Sequence, residues 1–158
     1  MAISNSDSMP EGSFKVMTDD GVKDITTDEL FSGKKVALFS VPGAFTPTCS
    51  NEHLPSYLQN YDAIKERGYD TIACMAVNDA FVMDAWGKDR GVGDKILMLA
   101  DGNGDYTKKL GLELDASGFG LGVRGKRFSI VVDNGIANQV NVDEGAYDLT
   151  SAENTCGI

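Results

Sequence analysis

A segment rich in proline, glycine and threonine ends at Cys49, the cysteine with the strongest sequence signals for chemistry. An apolar, β-rich run at residues 35–41 precedes this segment, and the pattern after it predicts a helix over residues 50–67. A thiol in the first turn of a helix lies among unpaired backbone N–H groups, near the positive end of the helix dipole. Both features favour the thiolate over the thiol, so this position predicts a reactive sulfur.

The loop before Cys49 has properties that suit a binding site. Pro42 and Pro47 restrict its backbone, and Gly43 permits a close approach of backbone to ligand. Thr46 can place its hydroxyl beside the sulfur, although it can equally cap the helix or form a local turn, and these roles are compatible. A helical cysteine is more often buried and inert than catalytic, and this loop is what favours catalysis here.

Two other kinds of thiol chemistry fit the segment less well. A thioredoxin-type disulfide needs Cys-x-x-Cys, but Thr46 and Glu52 hold the positions three residues before and after Cys49. His53 lies four residues after Cys49 on the same helix face and could form the Cys–His pair of a thiol hydrolase. No third residue that would orient this histidine is evident, so we expect His53 to pack or hydrogen-bond near the pocket instead.

The composition restricts the class of protein. The chain has 158 residues with 14 basic and 24 acidic side chains, for a net charge of −10. This charge argues against nucleic acid or an anionic membrane as a general partner. Three cysteines without a Cys-x-x-Cys pair, no apolar signal segment near Met1 and no apolar stretch of membrane-spanning length predict a cytoplasmic protein with free thiols.

The pattern of apolar runs and turns predicts one α/β domain over residues 1–158, with a loose leader at residues 1–12. The order β-α-β-α-β-α-β-β-α favours three layers, with helices on both faces of a central mixed sheet. The predicted elements are buried strands at 35–41, 71–77 and 96–100, a hairpin around Asn134-Gly135, and helices after Asn78 or Asp79, at 106–110, at 151–158 and at 49–67 with a kink at Pro55.

A glycine-rich stretch at residues 117–125 contains Gly120, Gly122 and Gly125 at the spacing of a dinucleotide-binding motif. That function requires a strand before the motif and a helix after it, whose first turn holds the phosphates. A strand is predicted after the motif in this chain, so we interpret the stretch as a flexible loop.

Four separated motifs resemble the peroxiredoxins, in particular the peroxiredoxin-5 or type II subfamily. The resemblance runs over almost the full chain and implies a thioredoxin-like fold and a thiol-dependent peroxidase without metal or cofactor. The motifs are Pro42-Gly-Ala-Phe-Thr-Pro-Thr-Cys-Ser50, His53-Leu-Pro55, Val77-Asn-Asp-Ala-Phe-Val-Met83 and Arg124-Gly-Lys-Arg-Phe128.

The resemblance assigns roles in the reduction of hydrogen peroxide and small alkyl hydroperoxides. The Cys49 thiolate attacks one peroxide oxygen and becomes sulfenic acid while water or an alcohol leaves. The Thr46 hydroxyl and the Cys49 N–H hold the two peroxide oxygens in line. Arg127 supplies hydrogen-bond donors and positive potential, and Pro42 shields the pocket. Arg124 is a second candidate for the positive charge, and the alternative for Arg127 is a solvated strand residue.

The other two cysteines determine how the sulfenic acid is reduced. Cys74 matches the second cysteine of plant-like and bacterial type II proteins, but its apolar strand also suits a buried, inert thiol. Some animal members use a cysteine near the C-terminus, where this chain has Ser151. Cys156 is displaced from that position and is either a resolving thiol on a mobile tail or a small hydrophobe. We favour a one-cysteine cycle in which glutathione with glutaredoxin, or thioredoxin, reduces Cys49.

The resemblance also implies a homodimer, for which Phe45, Phe81 and Phe119 are candidate contacts. Three other functions stay open. A peroxide sensor or redox relay would use the same Cys49 chemistry and pass the oxidation to a partner protein. A thiol hydrolase would act on esters without Arg127, and a chaperone-like function would not need Cys49.

Overall fold

Strands from most of the chain meet in one mixed sheet at the centre of the computed structural model, which describes residues 1–158. The strands are β1 (Ser13–Thr18), β2 (Gly21–Thr26), β3 (Lys35–Ser40), β4 (Thr71–Ala76), β5 (Leu97–Ala100), β6 (Glu113–Asp115), β7 (Val123–Gly125), β8 (Arg127–Asp133) and β9 (Ile136–Asp143). Seven of them form the central sheet in the order β2-β1-β5-β4-β3-β8-β9, while β6 and β7 form a small sheet of their own. The three central strands β3, β4 and β5 are parallel, and the outer strands are antiparallel to their neighbours.

Helices cover both faces of this sheet. They are α1 (Thr27–Phe31), α2 (Leu54–Gln59), α3 (Tyr61–Glu66), α4 (Ala80–Asp89), α5 (Asp105–Leu110) and α6 (Ala152–Cys156), with a π-helical turn at Cys49–His53 and a 3₁₀ turn at Ser117–Phe119. The core on one face includes α2, α3, α4 and α6, and the core on the other includes α1 and α5. None of these helices has the length and apolar character that a membrane span requires.

Strand β3 explains why the domain has three layers. Successive side chains of a strand point to opposite faces, and every residue of β3 after Lys35 is buried. Ala37 and Phe39 belong to one core, whereas Val36 and Leu38 belong to the other. A strand that is apolar on both faces needs a helical layer on each, so the predicted three-layer α/β architecture with a mixed sheet is confirmed.

The strand predictions are confirmed to within one residue at each end. The hairpin is also confirmed, with Asn134 and Gly135 both at positive φ in its turn, as a two-residue turn of this type requires. Asp79 caps α4, because its carboxylate accepts a hydrogen bond from the Val82 N–H at 2.8 Å.

The prediction of one kinked helix over residues 49–67 is wrong in two respects. The departure from α geometry comes before Pro55, where the Leu54 N–H bonds to the carbonyl of Cys49 five residues back. A second break comes at Asn60, which separates α2 from α3. The Asn60 side chain donates to the carbonyl of Ser56 at 2.7 Å, and this local bond competes with a continuous helix.

Two segments predicted to be loose are ordered by backbone pairing. Strands β6 and β7 flank the 3₁₀ turn in the glycine-rich stretch at 117–125, which is therefore an antiparallel hairpin rather than an open loop. In the leader, the N–H groups of Ser6 and Met9 bond to the carbonyls of Ala137 and Gly135 at the start of β9. The prediction of a loose leader is therefore wrong, since residues 6–9 pair with the start of β9 and the Ile3 N–H bonds to the carbonyl of Leu110 at the end of α5.

Candidate active site

Three hydrogen bonds hold the loop between β3 and the first helical turn, two from outside the loop and one within it. The N–H of Ala44 donates to the Asn78 side chain at 3.0 Å, and Arg124 Nη1 donates to the carbonyl of Pro42 at 3.4 Å. Within the loop, the Thr46 hydroxyl donates to the carbonyl of Gly43 at 2.6 Å. A side chain at Gly43 would meet both Thr46 and Arg124 at about 3.1–3.2 Å, which explains the glycine.

Cys49 follows this loop as the third residue of the helical segment that starts at Pro47, and only 1% of it is exposed. The first N–H groups of a helix have no partner within the helix, so this end of the segment stabilises negative charge on the sulfur. In the preceding loop, Phe45 has φ +66°, a conformation that non-glycine residues rarely adopt. The surrounding hydrogen bonds hold this strained residue in place, as is common at functional sites.

Arg127 approaches the sulfur from the neighbouring strand. It is the first residue of β8, which lies antiparallel to β3 with Phe128 opposite Ser40. This register brings Arg127 to the end of β3 where the loop begins. Its Nη2 donates to Cys49 Sγ at 3.3 Å, so a positive charge contacts the sulfur and favours its thiolate form.

His53 is hydrogen-bonded on both ring nitrogens and is fully buried. Nε2 lies 3.1 Å from the carbonyl of Thr150, which can only accept, so this nitrogen carries the hydrogen. Nδ1 then accepts a hydrogen bond from Arg127 Nη1 at 2.8 Å. Burial, followed by the charge of Arg127, lowers the pKa of His53 from 6.5 to about 3, which keeps the ring neutral. His53 therefore contacts the arginine and not the thiol.

Aromatic side chains pack around His53 and Arg127. Phe39 stacks on Tyr57 with ring centroids 4.0 Å apart, and the ring of His53 packs 4.8 Å from Phe39. The ring of Tyr147 lies 5.2 Å from His53 and 5.9 Å from the Arg127 guanidinium. These contacts restrict the orientation of the histidine and the arginine.

Ser50 connects the first helical turn to α4 through contacts that were not expected from the sequence. Its hydroxyl accepts a hydrogen bond from the indole of Trp86 at 3.0 Å, and its carbonyl accepts one from Arg90 at 3.3 Å. Ser50 and Trp86 are 36 positions apart, and no sequence pattern links a serine to a tryptophan at that distance.

The structure brings together the four residues that the resemblance assigned to catalysis. Thr46 and Cys49 share the first turn, since the carbonyl of Thr46 accepts the N–H of the residue after Cys49. Pro42 and Arg127 line one open cavity of about 250 Å³. Arg124 binds the loop backbone rather than the sulfur, with its Nε donating to the carbonyl of Leu121 at 2.9 Å.

Cys74 lies in the middle of β4, directly opposite Phe39 of β3, and is completely buried. Burial raises the pKa of the Cys74 thiol well above its usual value, and the nearby Cys49 adds to this effect. The side chain is therefore a neutral thiol that packs in the core beneath the site.

Cys156 lies elsewhere, at the end of α6. It neighbours Tyr69 and Lys35, near the ends of β4 and β3 where these strands begin, whereas Cys49 follows the other end of β3. Burial raises the pKa of Cys156 to about 11, although Tyr69 and Lys35 act in the opposite direction. In this structure the tail is ordered, and Cys156 is a buried thiol outside the site.

Comparisons with known proteins agree with this geometry. The family model described as Redoxin matches residues 4–155. The chain is 45% identical to Peroxiredoxin-2E, chloroplastic, of Arabidopsis thaliana over 157 residues, which covers 96% of this chain and 67% of that protein. It is 44% identical to Peroxiredoxin-2C of Oryza sativa subsp. japonica, with 93% of this chain and 92% of that protein covered.

Solved structures show the same similarity in three dimensions. Reduced Prx3 in complex with H2O2 from Vibrio vulnificus superposes with a TM-score of 0.94 at 44% identity, over 98% of each chain. Peroxiredoxin 5 from Alvinella pompejana superposes with a TM-score of 0.82 at 42% identity, over 90% of each chain.

Proposed function

Since this chain belongs to the peroxiredoxins of the Redoxin family and is a peroxidase, we propose that it reduces hydrogen peroxide and small alkyl hydroperoxides at Cys49. The hydrogen bond from Arg127 to the sulfur at the start of a helix is the observation that carries the proposal. The similarity to a Vibrio vulnificus protein described in complex with H2O2 supports this choice of substrate.

The proposed reaction moves two electrons from sulfur to the peroxide bond. The Cys49 thiolate attacks one peroxide oxygen, an S–O bond forms and the O–O bond breaks. The second oxygen leaves as hydroxide or alkoxide and takes up a proton, which gives water or an alcohol. Cys49 is left as a sulfenic acid. Arg127 stabilises the charge that moves from the sulfur to the leaving oxygen, because its Nη2 already lies against the sulfur.

Thr46 has a defined role in this proposal. A hydroxyl has one hydrogen, and that of Thr46 is donated to the carbonyl of Gly43. Towards a ligand, the Thr46 oxygen can therefore only accept a hydrogen bond. An O–H group of a hydroperoxide is a donor of the required kind, while the Cys49 N–H is a donor for the other oxygen.

The hydrolase alternative receives no support from the site. A Cys–His pair requires a histidine nitrogen that faces the sulfur and can take its proton. The Nδ1 lone pair of His53 is occupied by Arg127, and its Nε2 hydrogen is donated to Thr150. With a pKa of about 3, this histidine is also too weak a base for that purpose.

We further propose that an external thiol recycles Cys49. The sulfenic acid reacts with one thiol to give a mixed disulfide and water, and a second thiol releases Cys49 as a free thiol. The burial of Cys74 and the placement of Cys156 at the far ends of the strands support this one-cysteine cycle. The reductant would be glutathione with glutaredoxin, or thioredoxin.

The proposal is tested by peroxide consumption, measured separately with glutathione plus glutaredoxin and with thioredoxin plus its reductase. Wild type is compared with Cys49→Ser, Cys74→Ser and Cys156→Ser. We expect turnover to disappear only in Cys49→Ser, and the faster reductant identifies the partner. Loss in Cys74→Ser or Cys156→Ser would contradict the one-cysteine cycle. Slow turnover of wild type with every reductant would favour a redox relay.

A homodimer and a cytoplasmic location belong to the same proposal. Phe45, Phe81 and Phe119 are 50%, 69% and 87% exposed, and such aromatic side chains are typical of interfaces between subunits. Their replacement by serine should shift the sedimentation of the protein from dimer towards monomer. The three free thiols suit a reducing compartment, although relatives from Arabidopsis and rice are named as chloroplastic.

A further inference from the structure

Asp143 ends β9 directly opposite Arg127 in the β8–β9 pair, yet its carboxylate binds a loop and not the arginine. Oδ2 accepts hydrogen bonds from the N–H of Asp148 at 3.0 Å and from the N–H and hydroxyl of Thr150 at 3.0 and 2.7 Å. Oδ1 accepts one from the N–H of Leu149 at 3.0 Å. One side chain thus fixes three consecutive residues of the loop.

This loop presents the carbonyl of Thr150 to the active site, beside the Tyr147 ring that packs against His53. That carbonyl accepts the Nε2 hydrogen of His53 and so selects the tautomer of the ring. In this tautomer Nδ1 carries the lone pair that receives Arg127 Nη1. With Nη1 fixed, the planar guanidinium directs Nη2 to the sulfur of Cys49.

We propose that Asp143 is a positioning residue for catalysis, which acts through Thr150 and His53 to hold Arg127 against Cys49. The inference rests on the proposed peroxidase chemistry at Cys49. His53 is the middle of this chain of contacts, and the loop residues 148–150, which Asp143 holds, are its outer end.

A carboxylate is required at this position because all four donors approach two oxygens that can only accept. Partial burial works to raise the pKa of Asp143, but the hydrogen bonds from Asp148, Thr150 and Leu149 outweigh it and hold that pKa below its usual value. An asparagine has one acceptor oxygen and an NH₂ group, so at least one N–H of the loop would face another donor.

The first test compares Asp143→Asn with Asp133→Asn, a matched substitution at the exposed far end of β8. The rate constant for oxidation of Cys49 by hydrogen peroxide is followed through the fluorescence of Trp86, the only tryptophan, which bonds to the residue after Cys49. We expect Asp143→Asn to lower this rate constant between about tenfold and 10²-fold, as small displacements of a catalytic group do. Asp133→Asn should leave it unchanged. Equal rates in the two variants would overturn the inference.

The second test asks whether Asp143 acts through Arg127. In a double-mutant cycle with Arg127→Gln, the loss caused by Asp143→Asn should largely disappear once the arginine is absent. Losses that multiply independently would show a merely structural role and overturn the inference. Failure of the proposed function is distinguishable, because wild type itself would then show no oxidation of Cys49 and no effect of Arg127→Gln.

The imidazole spectrum gives a third readout, since His53 is the only histidine. Nitrogen-15 NMR should show the Nε2–H tautomer with a hydrogen-bonded Nδ1 in wild type, and a change of the Nδ1 signal in Asp143→Asn. An unchanged imidazole spectrum in that variant would contradict the relay through His53.

Thr150→Val keeps the test decisive if Asp143→Asn fails to fold. It removes the hydroxyl that bonds to Asp143 but leaves the carboxylate charge and the Thr150 carbonyl in the chain. Oxidation of Cys49 should slow severalfold in Thr150→Val, and Thr150→Ser, which keeps the hydroxyl, should restore it. Equal rates in the valine and serine variants would show that this anchor does not position Arg127.

Discussion

Cys49 and Cys156 are both buried, at 1% and 7% exposure, and both lie at helix ends, yet their surroundings differ. Cys49 is at the start of a helical segment, the positive end of the helix dipole, and Arg127 Nη2 donates a hydrogen bond to its sulfur. Cys156 is at the end of α6, where carbonyl groups disfavour an anion, and burial raises its pKa to about 11.

The comparison shows that solvent exposure alone does not distinguish these two thiols. Both sulfurs are almost hidden from solvent, so burial alone would make both inert. The Cys49 sulfur accepts a hydrogen bond from the charged guanidinium of Arg127, whereas Cys156 neighbours Tyr69 and Lys35. The orientation of nearby dipoles and charges is therefore what distinguishes Cys49, the proposed catalytic cysteine, from Cys156.

The largest effect should come from removal of the charge on which this comparison depends. Arg127→Gln should lower the rate constant for oxidation of Cys49 by about 10²–10³-fold, since one preorganised donor to a developing charge contributes about that much. The rate constant of Arg127→Lys should lie between those of wild type and Arg127→Gln, because a lysine cannot bond to both His53 and the sulfur. Stopped-flow fluorescence of Trp86 measures these rates.

The matched control is Arg67→Gln, which removes an exposed arginine on the Cys156 side of the molecule. It changes the net charge by the same amount as Arg127→Gln but should leave oxidation of Cys49 unchanged. A comparable loss in both variants would show that net charge, and not the contact with the sulfur, determines the rate.

Low pH should destabilise the fold through His53, which bonds to the arginine beside Cys49. Its pKa is about 3 in the folded protein and 6.5 when unfolded, so the unfolded chain binds the additional proton below pH 6.5. The neutral ring's contribution to stability is complete above that pH and is lost as the pH falls towards 3. Between pH 7 and pH 5 the free energy of unfolding should decrease by about 2 kcal/mol.

Urea denaturation at the two pH values measures this decrease, with His53→Gln as the comparison. The glutamine variant should be less stable at pH 7 but should lose much less stability on acidification. The same pH dependence in wild type and His53→Gln would assign the acid sensitivity to other groups.

A smaller effect is expected from Arg124, which supports the loop before Cys49 and does not contact the sulfur. Arg124→Gln removes the bonds to the carbonyls of Leu121 and Pro42, of which the second, at 3.4 Å, is long. A loss of about 1 kcal/mol of loop support corresponds to an approximately fivefold slower reaction with peroxide. A loss as large as that of Arg127→Gln would mean that Arg124 supplies the catalytic charge.

The smallest effect on activity is expected from replacement of Cys156. Cys156→Ser should leave the rate of peroxide consumption within about twofold of wild type, while the free energy of unfolding falls by about 1 kcal/mol. Steady-state turnover and urea denaturation of the same preparation measure both quantities. A large loss of turnover in a stably folded variant would make Cys156 part of the catalytic cycle.

The sequence was sufficient to predict the architecture because its strongest signals are local. Strands β3 and β4 are continuous apolar runs, and Asn134-Gly135 specifies a hairpin turn without help from the rest of the chain. The leader and the segment at 117–125 were mispredicted because their order comes from backbone bonds with distant residues, which have no compositional signature.

The residues of the site likewise fall into those with local sequence signals and those that meet only in the folded chain. Cys49 and Thr46 could be assigned from a nine-residue segment, and Arg127 from a resemblance of motifs. The link from Asp143 through Thr150 to His53 could not, because it joins a strand end, a loop and a helix that meet only in the folded chain. Whether a buried cysteine faces an arginine or a tyrosine likewise depends on the packing of the sheet and not on its neighbours in sequence.

The proposal that Cys49 is the peroxidatic cysteine is tested most directly by exposing the reduced protein to one equivalent of hydrogen peroxide and locating the sulfenic acid. A trapping reagent such as dimedone labels it, and mass spectrometry of the digested protein reports Cys49, Cys74 and Cys156 separately. We expect label on Cys49 alone in wild type and much slower labelling in Arg127→Gln. Label that appears first, or equally fast, on Cys74 or Cys156 would contradict the proposal.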